Sequence, residues 1–430
     1  MGDSVKDLRD EFRERYIPRR EFIRRATLLG LSLPAAAALL AACQDEATDG
    51  EGGPTGDGEP IKMGALVPLT GVVGILGPPM QNNAELAVED INAAGGILGR
   101  PVELLIEDTA SDPDTAVEKA RKLIQQDQVD VTVGVLTSAE RWAVALSVTI
   151  PAEHIYINPT YYEGGICDRY FFNVGALPNQ QIDPFIPWLI ENRGVSTFYI
   201  GGSDYAWPRG SFDAAKTAIA AAGGEVVGEE YSPLGTSDFA ATLRRVQEAA
   251  PDVMYPLYAG SDGITFMTQF VDAGLHEDIL AASTAFSELV IDAFPAEQST
   301  GWIASFEYFM TIDTPENQDF VARYQERFGA DAIMDSIGQG MFTSVNLYAQ
   351  GADQAGSLDK EAVVDGMVAV QFEDPKGTIR IDEPTHAAYL TDYIAEIGPP
   401  SDAPGWQRFQ IVEQFADIQP EQPCLDEPPG

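Results

Sequence analysis

The residue types that usually carry out catalysis are few and poorly spaced in this 430-residue chain. Its three histidines, His154, His276 and His386, are isolated, and no two have the i, i+4 spacing that holds a metal on one helix face. The chain has no G-x-S-x-G nucleophile motif, no G-x-x-x-x-G-K-[ST] phosphate loop and no H-E-x-x-H zinc motif. We therefore expect a binding protein with no catalytic centre, metal or cofactor.

Three cysteines remain as candidates for covalent chemistry. Cys43 directly follows an apolar stretch, whereas Cys167 and Cys424 lie in the later, folded part of the chain. In a compartment that permits oxidation, Cys167 and Cys424 can form a disulfide, and the alternative is a free buried thiol at each position. Both alternatives remain open from the sequence.

The first 42 residues have the pattern of an export signal. Arg19 and Arg20 precede Phe22 and an apolar stretch, and that stretch ends at Leu40-Ala41-Ala42-Cys43. This order resembles a twin-arginine signal that ends in a lipobox, which implies cleavage before Cys43 and a lipid on that cysteine. The expected location is extracytoplasmic, on the outer face of the cytoplasmic membrane. A short membrane helix that is never cut is the alternative.

The charge balance excludes some partners. With 26 Lys+Arg against 67 Asp+Glu, the formal net charge is −41, and such a field repels phosphate backbones and anionic lipids. We expect no nucleic-acid partner and no membrane contact beyond the lipid anchor. This excess of acid is typical of halophilic proteins, and an ordinary acidic exported protein is the alternative. Residues 43–60, rich in Gly, Asp and Glu, predict a flexible acidic tether.

Strand-like and helix-like segments alternate along the rest of the chain, which is long enough for two lobes. The first series runs from the strand at residues 61–69 to the strand at 129–135, and the second from the strand at 197–201 to the helix at 263–273. The pattern predicts an α/β protein of two doubly wound, Rossmann-like lobes. A ligand crevice is expected where the carboxyl ends of their strands face each other.

Four segments resemble the urea and short-chain amide receptors among the type I periplasmic binding proteins, the solute receptors of ABC importers: Asn158–Gly164, Gly175–Gln181, Gly202–Arg209 and Gly228–Gly235. The opening of the folded chain and the segment Asn92–Arg100 are similar to the wider family, which includes branched-chain amino acid receptors. The resemblance implies two lobes joined by three crossovers, with the ligand between them. It places residues 61–180 and 309–371 in the first lobe and residues 181–304 and 378–430 in the second.

The same resemblance implies the site residues. Ser138 and Thr160 follow strands of the first lobe, where the family presents polar groups to the ligand. Tyr205 and Trp207 would clamp the flat faces of the ligand from the second lobe. Turn or cap chemistry is the alternative role for the hydroxyls, and lobe packing is the alternative for the aromatics.

Three further candidates lie near later strand ends of the second lobe, where a carboxylate could accept amide N–H bonds: Asp262, Ser287 and Glu288.

The resulting functional prediction is a lipid-anchored receptor that captures urea or a short-chain amide and passes it to an ABC permease with its ATPase subunits. A branched-chain or other amino acid is the alternative ligand. In that case, Asp262 or Glu288 would have to neutralise the ammonium. An amide sensor that acts on a regulatory partner is a second alternative, although an export signal argues against it. An enzyme lacks a nucleophile with a positioned base.

Overall fold

The structure is a computed structural model that describes residues 58–400 and 405–428. The predicted signal peptide of residues 1–42, the lipidation site Cys43 and most of the predicted tether lie outside the described residues. Within the described part of the chain, no helix is both long enough and apolar enough to cross a bilayer.

The first sheet is parallel throughout and belongs to the lobe that we call the first lobe. Its strand order, β2-β1-β3-β4-β5, has the doubly wound pattern in which the chain reverses direction beside β1. The central strands are buried on both faces, as parallel strands between helix layers must be. The five strands are β1 (Ile61–Val67), β2 (Val102–Asp108), β3 (Val131–Gly134), β4 (Tyr156–Asn158) and β5 (Phe171–Asn173).

The second sheet has the order β14-β13-β10-β9-β8-β6-β7 and defines the second lobe. Strands β6 to β10 are parallel, whereas β13 and β14 run antiparallel along one edge. Its strands are β6 (Thr197–Ser203), β7 (Glu225–Ser232), β8 (Val253–Leu257), β9 (Leu280–Ser283), β10 (Ile303–Phe306), β13 (Leu390–Ile397) and β14 (Phe409–Ile418). A separate hairpin consists of β11 (Gln371–Asp374) and β12 (Gly377–Arg380). The predicted α/β fold with two lobes is confirmed.

Helices cover both sheets, and several begin at residues whose side chains accept a hydrogen bond from the first turn. Such N-caps are Asp112, Thr137, Thr314, Asp335 and Asp359. The helices are α1 (Gly77–Ala93), α2 (Pro113–Arg121), α3 (Ser138–Val144), α4 (Pro178–Arg193), α5 (Ala206–Ala221), α6 (Ala240–Ala249), α7 (Ser261–Asp272), α8 (Glu288–Asp292), α9 (Ala296–Ser299), α10 (Pro315–Phe328), α11 (Ser336–Ala355) and α12 (Lys360–Ala369).

The chain passes between the lobes three times. After β5 it enters α4, which packs on the second lobe, and after β10 it returns to α10 and α11, which pack on α1 of the first lobe. After α12 and the β11–β12 hairpin, it rejoins the second sheet at β13. Because each lobe is completed by chain that has crossed from the other, neither lobe is continuous in sequence.

A buried arginine holds together the two strand ends that lead into the space between the lobes. The Arg141 side chain, 1% exposed, donates from Nε to Asn158 Oδ1 at 2.9 Å and from Nη2 to the Leu136 carbonyl at 2.9 Å. Its guanidinium also lies 4.6 Å from the centre of the Tyr162 ring. Since Leu136 follows β3 and Asn158 ends β4, one side chain fixes the spacing of both ends.

The C-terminal tail lies against the first lobe. The structure joins Cys167, which precedes β5, to Cys424 in a disulfide. Gln422 Oε1 accepts from Tyr162 Oη at 2.9 Å, and Leu425 N donates to the Gly165 carbonyl at 2.8 Å. Although the sequence analysis assigned residues 378–430 to the second lobe, the end of the chain therefore returns to the first.

We expect Arg141→Leu to lower the free energy of unfolding by about 3–5 kcal/mol, because it removes a buried charge on which neighbouring polar groups depend. Urea unfolding followed by circular dichroism measures this loss. Arg209→Leu is the matched control: Arg209 pairs with Asp204 near the surface, and its replacement should cost less than about 1 kcal/mol. Equal losses in the two variants would contradict the role of Arg141.

Loss of the disulfide should destabilise the protein, because the unfolded chain without the cross-link has a higher conformational entropy. We expect the double variant Cys167→Ser/Cys424→Ser to unfold with a free energy lower by about 2–4 kcal/mol. Reductant should lower the melting temperature of the parent protein and leave that of the double variant unchanged. Alkylation of peptides that contain Cys167 and Cys424, without prior reduction, would show that the bond does not form.

Candidate ligand-binding site

A cavity of about 630 Å³, measured with its opening to solvent, lies between the two lobes. Both lobes contribute lining residues, and most of these are apolar or aromatic. The first lobe supplies Ile75, Leu76, Leu136, Ser138, Thr160, Tyr161, Asp335 and Ile337. The second lobe supplies Tyr205, Trp207, Tyr258, Ala259, Gly260, Ile264, Ala285, Ser287, Leu289 and Val290.

The ends of parallel strands carry most of the polar lining. Ser138 comes shortly after β3 and Thr160 after β4, whereas Tyr205 follows β6 and Ser287 follows β9. Because the carboxyl ends of parallel strands meet at one edge of a sheet, the topology delivers these residues to the crevice. Five of the seven residues predicted from the sequence, which are Ser138, Thr160, Tyr205, Trp207 and Ser287, line this one cavity.

A tight turn aims Ser138 at the cavity. Gly134, the last residue of β3, has φ of +113°, and a Cβ there would lie 2.2 Å from the Leu66 carbonyl oxygen. Val135 follows with φ of 51°, a conformation that is uncommon for a β-branched residue. The turn ends at Thr137, which caps α3 in a capping box with Glu140.

The Ser138 hydroxyl belongs to a buried polar network. Ser138 Oγ donates to Glu163 Oε2 at 2.6 Å, and Trp142 Nε1 donates to Glu163 Oε1 at 3.0 Å. Arg141 Nη1 approaches Ser138 Oγ at 3.4 Å, so a cation and a carboxylate both face this hydroxyl. Neither Arg141 nor Glu163 was predicted from the sequence, since nothing in their spacing distinguishes them from surface charges.

Thr160 lies at a crowded position beside the first crossing between the lobes. Its hydroxyl donates to the Val135 carbonyl at 3.3 Å, which is a long hydrogen bond. A Cβ at Gly175 would lie 2.2 Å from the Thr160 carbonyl carbon, so the crossing chain can pass here only without a side chain. Thr160 is therefore held by its backbone, while its hydroxyl can rotate toward the cavity.

Aromatic rings form one wall of the cavity. The ring of Trp207 lies 5.4 Å from that of Tyr161 and 6.1 Å from that of Tyr205, measured between centroids. These separations are typical of packed aromatic pairs. Burial raises the pKa of Tyr205 far above its usual value, so its phenol remains a neutral hydrogen-bond donor.

Two predicted residues, Asp262 and Glu288, do not line the cavity. Asp262 Oδ2 accepts from Gly235 N at 2.8 Å, and Glu288 Oε1 accepts from Met310 N at 2.7 Å. Burial raises the pKa of Glu288 to about 8. One oxygen of each carboxylate accepts a backbone N–H, which for Asp262 belongs to the same lobe and for Glu288 to the chain that has just made the second crossing, and neither residue lines the cavity.

The carboxylate that does line the cavity is Asp335, which the sequence analysis missed. It caps α11, with Oδ1 accepting from Gly338 N at 2.9 Å, and its side chain is fully buried. Burial and the nearby Glu307 raise the pKa of Asp335 to about 6. An Asp before a helix predicts a helix cap, so the sequence does not indicate that Asp335 also lines the cavity.

The cavity lining contains one side chain that is charged at neutral pH, Asp335. No lysine, arginine or histidine is among its lining residues. Over residues 58–400 and 405–428, no group of three or more His, Cys, Asp or Glu side chains is placed to hold a metal ion. What the arrangement can do is enclose a small solute between apolar walls and a few hydrogen-bonding groups.

The sequence matches a family model described as periplasmic binding protein over residues 60–403. The Leu/Ile/Val-binding protein BraC3 of Rhizobium johnstonii is 27% identical over 311 residues, which are 70% of this chain and 82% of that protein.

Solved structures of the same type share the fold. An ABC transporter substrate-binding protein from Sphaerobacter thermophilus superposes with a TM-score of 0.75 at 26% identity, covering 84% of this chain and 98% of that one. A solute-binding protein of an ABC transporter from R. palustris, solved with benzoate, has a TM-score of 0.76 at 20% identity, with 85% and 99% covered. The family match and the two-lobed cavity agree: the chain belongs to the periplasmic binding protein family, whose members are extracytoplasmic solute-binding proteins.

Proposed function

We propose that this protein is the substrate-binding component of an ABC importer and captures an amino acid with a branched apolar side chain. The observation that carries the proposal is the lining of the cavity, where apolar residues from both lobes surround a small set of polar groups. The relative from Rhizobium johnstonii, described as a Leu/Ile/Val-binding protein, supports the same ligand class.

The apolar walls suit an aliphatic side chain. Leu76, Leu136 and Ile337 of the first lobe face Leu289 and Val290 of the second across the cavity. Complete burial of a leucine or valine side chain contributes about 1.5–3 kcal/mol, and closure of the lobes would remove it from water on both sides. The ligand would thereby complete a contact between the lobes that neither lobe makes alone.

The hydroxyl groups suit the polar end of an amino acid. The Thr160 and Tyr205 side chains carry neutral hydroxyl donors at the cavity, and hydroxyl hydrogens rotate to meet an acceptor. We propose that they bind the α-carboxylate, and that Ser138 joins them when its hydroxyl proton leaves Glu163 Oε2 for the ligand.

Urea and short amides, the ligands expected from the sequence resemblance, have less support. Each of their N–H groups needs an acceptor when buried, and each unmade bond costs about 1–3 kcal/mol. The mostly apolar lining supplies few such acceptors. Urea and acetamide therefore serve as the comparison ligands when amino acid binding is tested.

The route to the membrane completes the proposal. The twin-arginine and lipobox pattern supports export, cleavage before Cys43 and a lipid on that residue. A flexible tether would then hold the folded lobes near their permease at a high effective concentration. The high acidic content supports function in concentrated salt, as in halophilic proteins.

We expect leucine, isoleucine and valine to raise the melting temperature of the protein, because a ligand that binds only the folded state stabilises it by mass action. Differential scanning fluorimetry in buffer of high salt concentration measures the shift, with urea and acetamide at the same concentration as controls. Shifts with urea or acetamide alone would replace the proposal with the amide function.

Trp207→Leu should weaken leucine binding by about 10- to 100-fold, because it removes part of the aromatic wall. Isothermal titration calorimetry measures the affinity. Trp188→Leu is the matched control, since Trp188 is buried in the second lobe but does not line the cavity, and its leucine affinity should equal that of the parent. An unchanged affinity in Trp207→Leu would remove Trp207 from the site.

A further inference from the structure

Asp335 caps a helix with one carboxylate oxygen and has a second oxygen that the cap does not use. Its Oδ1 accepts from Gly338 N at 2.9 Å, which satisfies the start of α11. Its Oδ2 is buried and has no hydrogen-bond partner among the described residues, although the side chain lines the cavity. The second oxygen is thus a buried acceptor without a donor, on a side chain that lines the space where a solute would bind.

An unpartnered buried carboxylate oxygen is costly. A buried acceptor without a donor loses about 1–3 kcal/mol, and more when it is charged. Ser, Thr or Asn caps a helix about as well as Asp without adding a charge. Because the lining includes no lysine, arginine or histidine, the counter-charge for Asp335 has to come from outside the cavity wall.

The surroundings strengthen the negative field at this position. Glu307, on the segment that leaves β10, raises the pKa of Asp335, and Asp335 in turn raises that of Glu288. The other titratable groups coupled to Asp335 are phenols, which burial keeps protonated and neutral: Tyr161, Tyr308 and Tyr324. A cation beside Asp335 is therefore favoured, and an anion there is repelled.

We infer that Asp335 binds the protonated amine of the ligand, so that the cavity selects apolar solutes that carry an ammonium group over apolar carboxylates that lack one. This inference rests on the proposed function as an amino acid receptor and refines it. Asp335 thus neutralises the ammonium group, the role expected from the sequence for Asp262 or Glu288. Those two carboxylates accept backbone N–H bonds and do not line the cavity. It acts from the first lobe, at the start of a helix that completes that lobe after the second crossing.

The test compares leucine with two analogues that each lack one charged group. 3-Methylbutylamine keeps the ammonium, and 4-methylpentanoate keeps the carboxylate. Titration calorimetry should show leucine and 3-methylbutylamine binding to the parent protein, with 4-methylpentanoate at least about tenfold weaker than leucine.

Asp335→Asn is the decisive variant, because Asn keeps the size of the side chain and the cap on Gly338 but loses the charge. We expect it to melt near the parent temperature without ligand, to bind leucine at least about tenfold more weakly, and to lose 3-methylbutylamine. Asp359→Asn is the matched control: Asp359 caps α12 through Ala362 N and does not line the cavity, so leucine affinity should be unchanged.

Acidity provides a second readout. The pKa of Asp335 is raised to about 6, and protonation below it removes the negative charge that the ammonium needs. Leucine keeps both its charges between pH 5 and 7, so its affinity for the parent should fall about tenfold on going from pH 7 to pH 5. The affinity of Asp335→Asn should change much less over the same range.

The outcomes separate this inference from the proposed function. Equal leucine affinity in the parent and Asp335→Asn, or 4-methylpentanoate binding as tightly as leucine, overturns the role of Asp335 and leaves the solute receptor in place. Binding of 3-methylbutylamine but of no amino acid, with loss in Asp335→Asn, overturns the proposed ligand and supports the amine site. Binding of neither leucine nor the amine overturns both.

Discussion

The burial of one guanidinium constrains much of the first lobe. Arg141 is nearly inaccessible to water. The N–H groups of a cation buried in this way must therefore hydrogen-bond to acceptors of the protein. Arg141 does so by using the Leu136 carbonyl and the Asn158 amide, which belong to neighbouring strand ends. The same side chain approaches Ser138, whose hydroxyl connects it to Glu163. A change in the spacing of β3 and β4 would leave these groups unpaired, so Arg141 fixes the spacing of the strand ends that lead to Ser138 and Thr160.

A second buried set of charges lies where the chain crosses between the lobes. Lys376 Nζ donates to the Val174 carbonyl at 2.8 Å, and Asp374 accepts from Thr343 Oγ1 at 3.0 Å. Burial lowers the pKa of Lys376, while Glu307 and Asp374 act in the opposite direction. Residue 174 is on the first crossing, residue 307 on the second and residue 376 on the third. Lys376 of the third crossing is thus hydrogen-bonded to the first crossing, and its charge also favours the ionised form of Glu307 on the second.

The sequence predicted the elements better than it predicted side-chain directions. The first strand was expected at 61–69 and ends at Val67, because Pro68 follows and the Leu69 N–H bonds to the Asp108 side chain rather than to the backbone of a neighbouring strand. Five predicted residues reach the cavity because they follow strand ends, and the backbone places them there independently of side-chain contacts: Ser138, Thr160, Tyr205, Trp207 and Ser287. Asp262 and Glu288 also lie near strand ends, but one oxygen of each carboxylate accepts a backbone N–H, a contact that the spacing of residues in the sequence does not reveal. For Asp335 the sequence indicates only the role of helix cap. That its side chain also lines the cavity follows from the packing of α11 against the first lobe.

The separation between fold and ligand follows from the same facts. Polar groups behind the cavity wall, such as Arg141 and Asn158, are satisfied within the protein and carry no information about the solute. We propose that the solute is selected by groups at the cavity that the fold leaves unsatisfied or free to rotate, among them the hydroxyls of Thr160, Tyr205 and Tyr258 and the Oδ2 atom of Asp335. A relative can share the strand order and the crossings and still differ at each of these positions, which explains how one architecture accommodates a benzoate in one protein and branched amino acids in another. If Asp335 binds an ammonium group, as we infer, ligand identity in this chain depends on whether the solute brings a positive charge to the one carboxylate that lines the cavity.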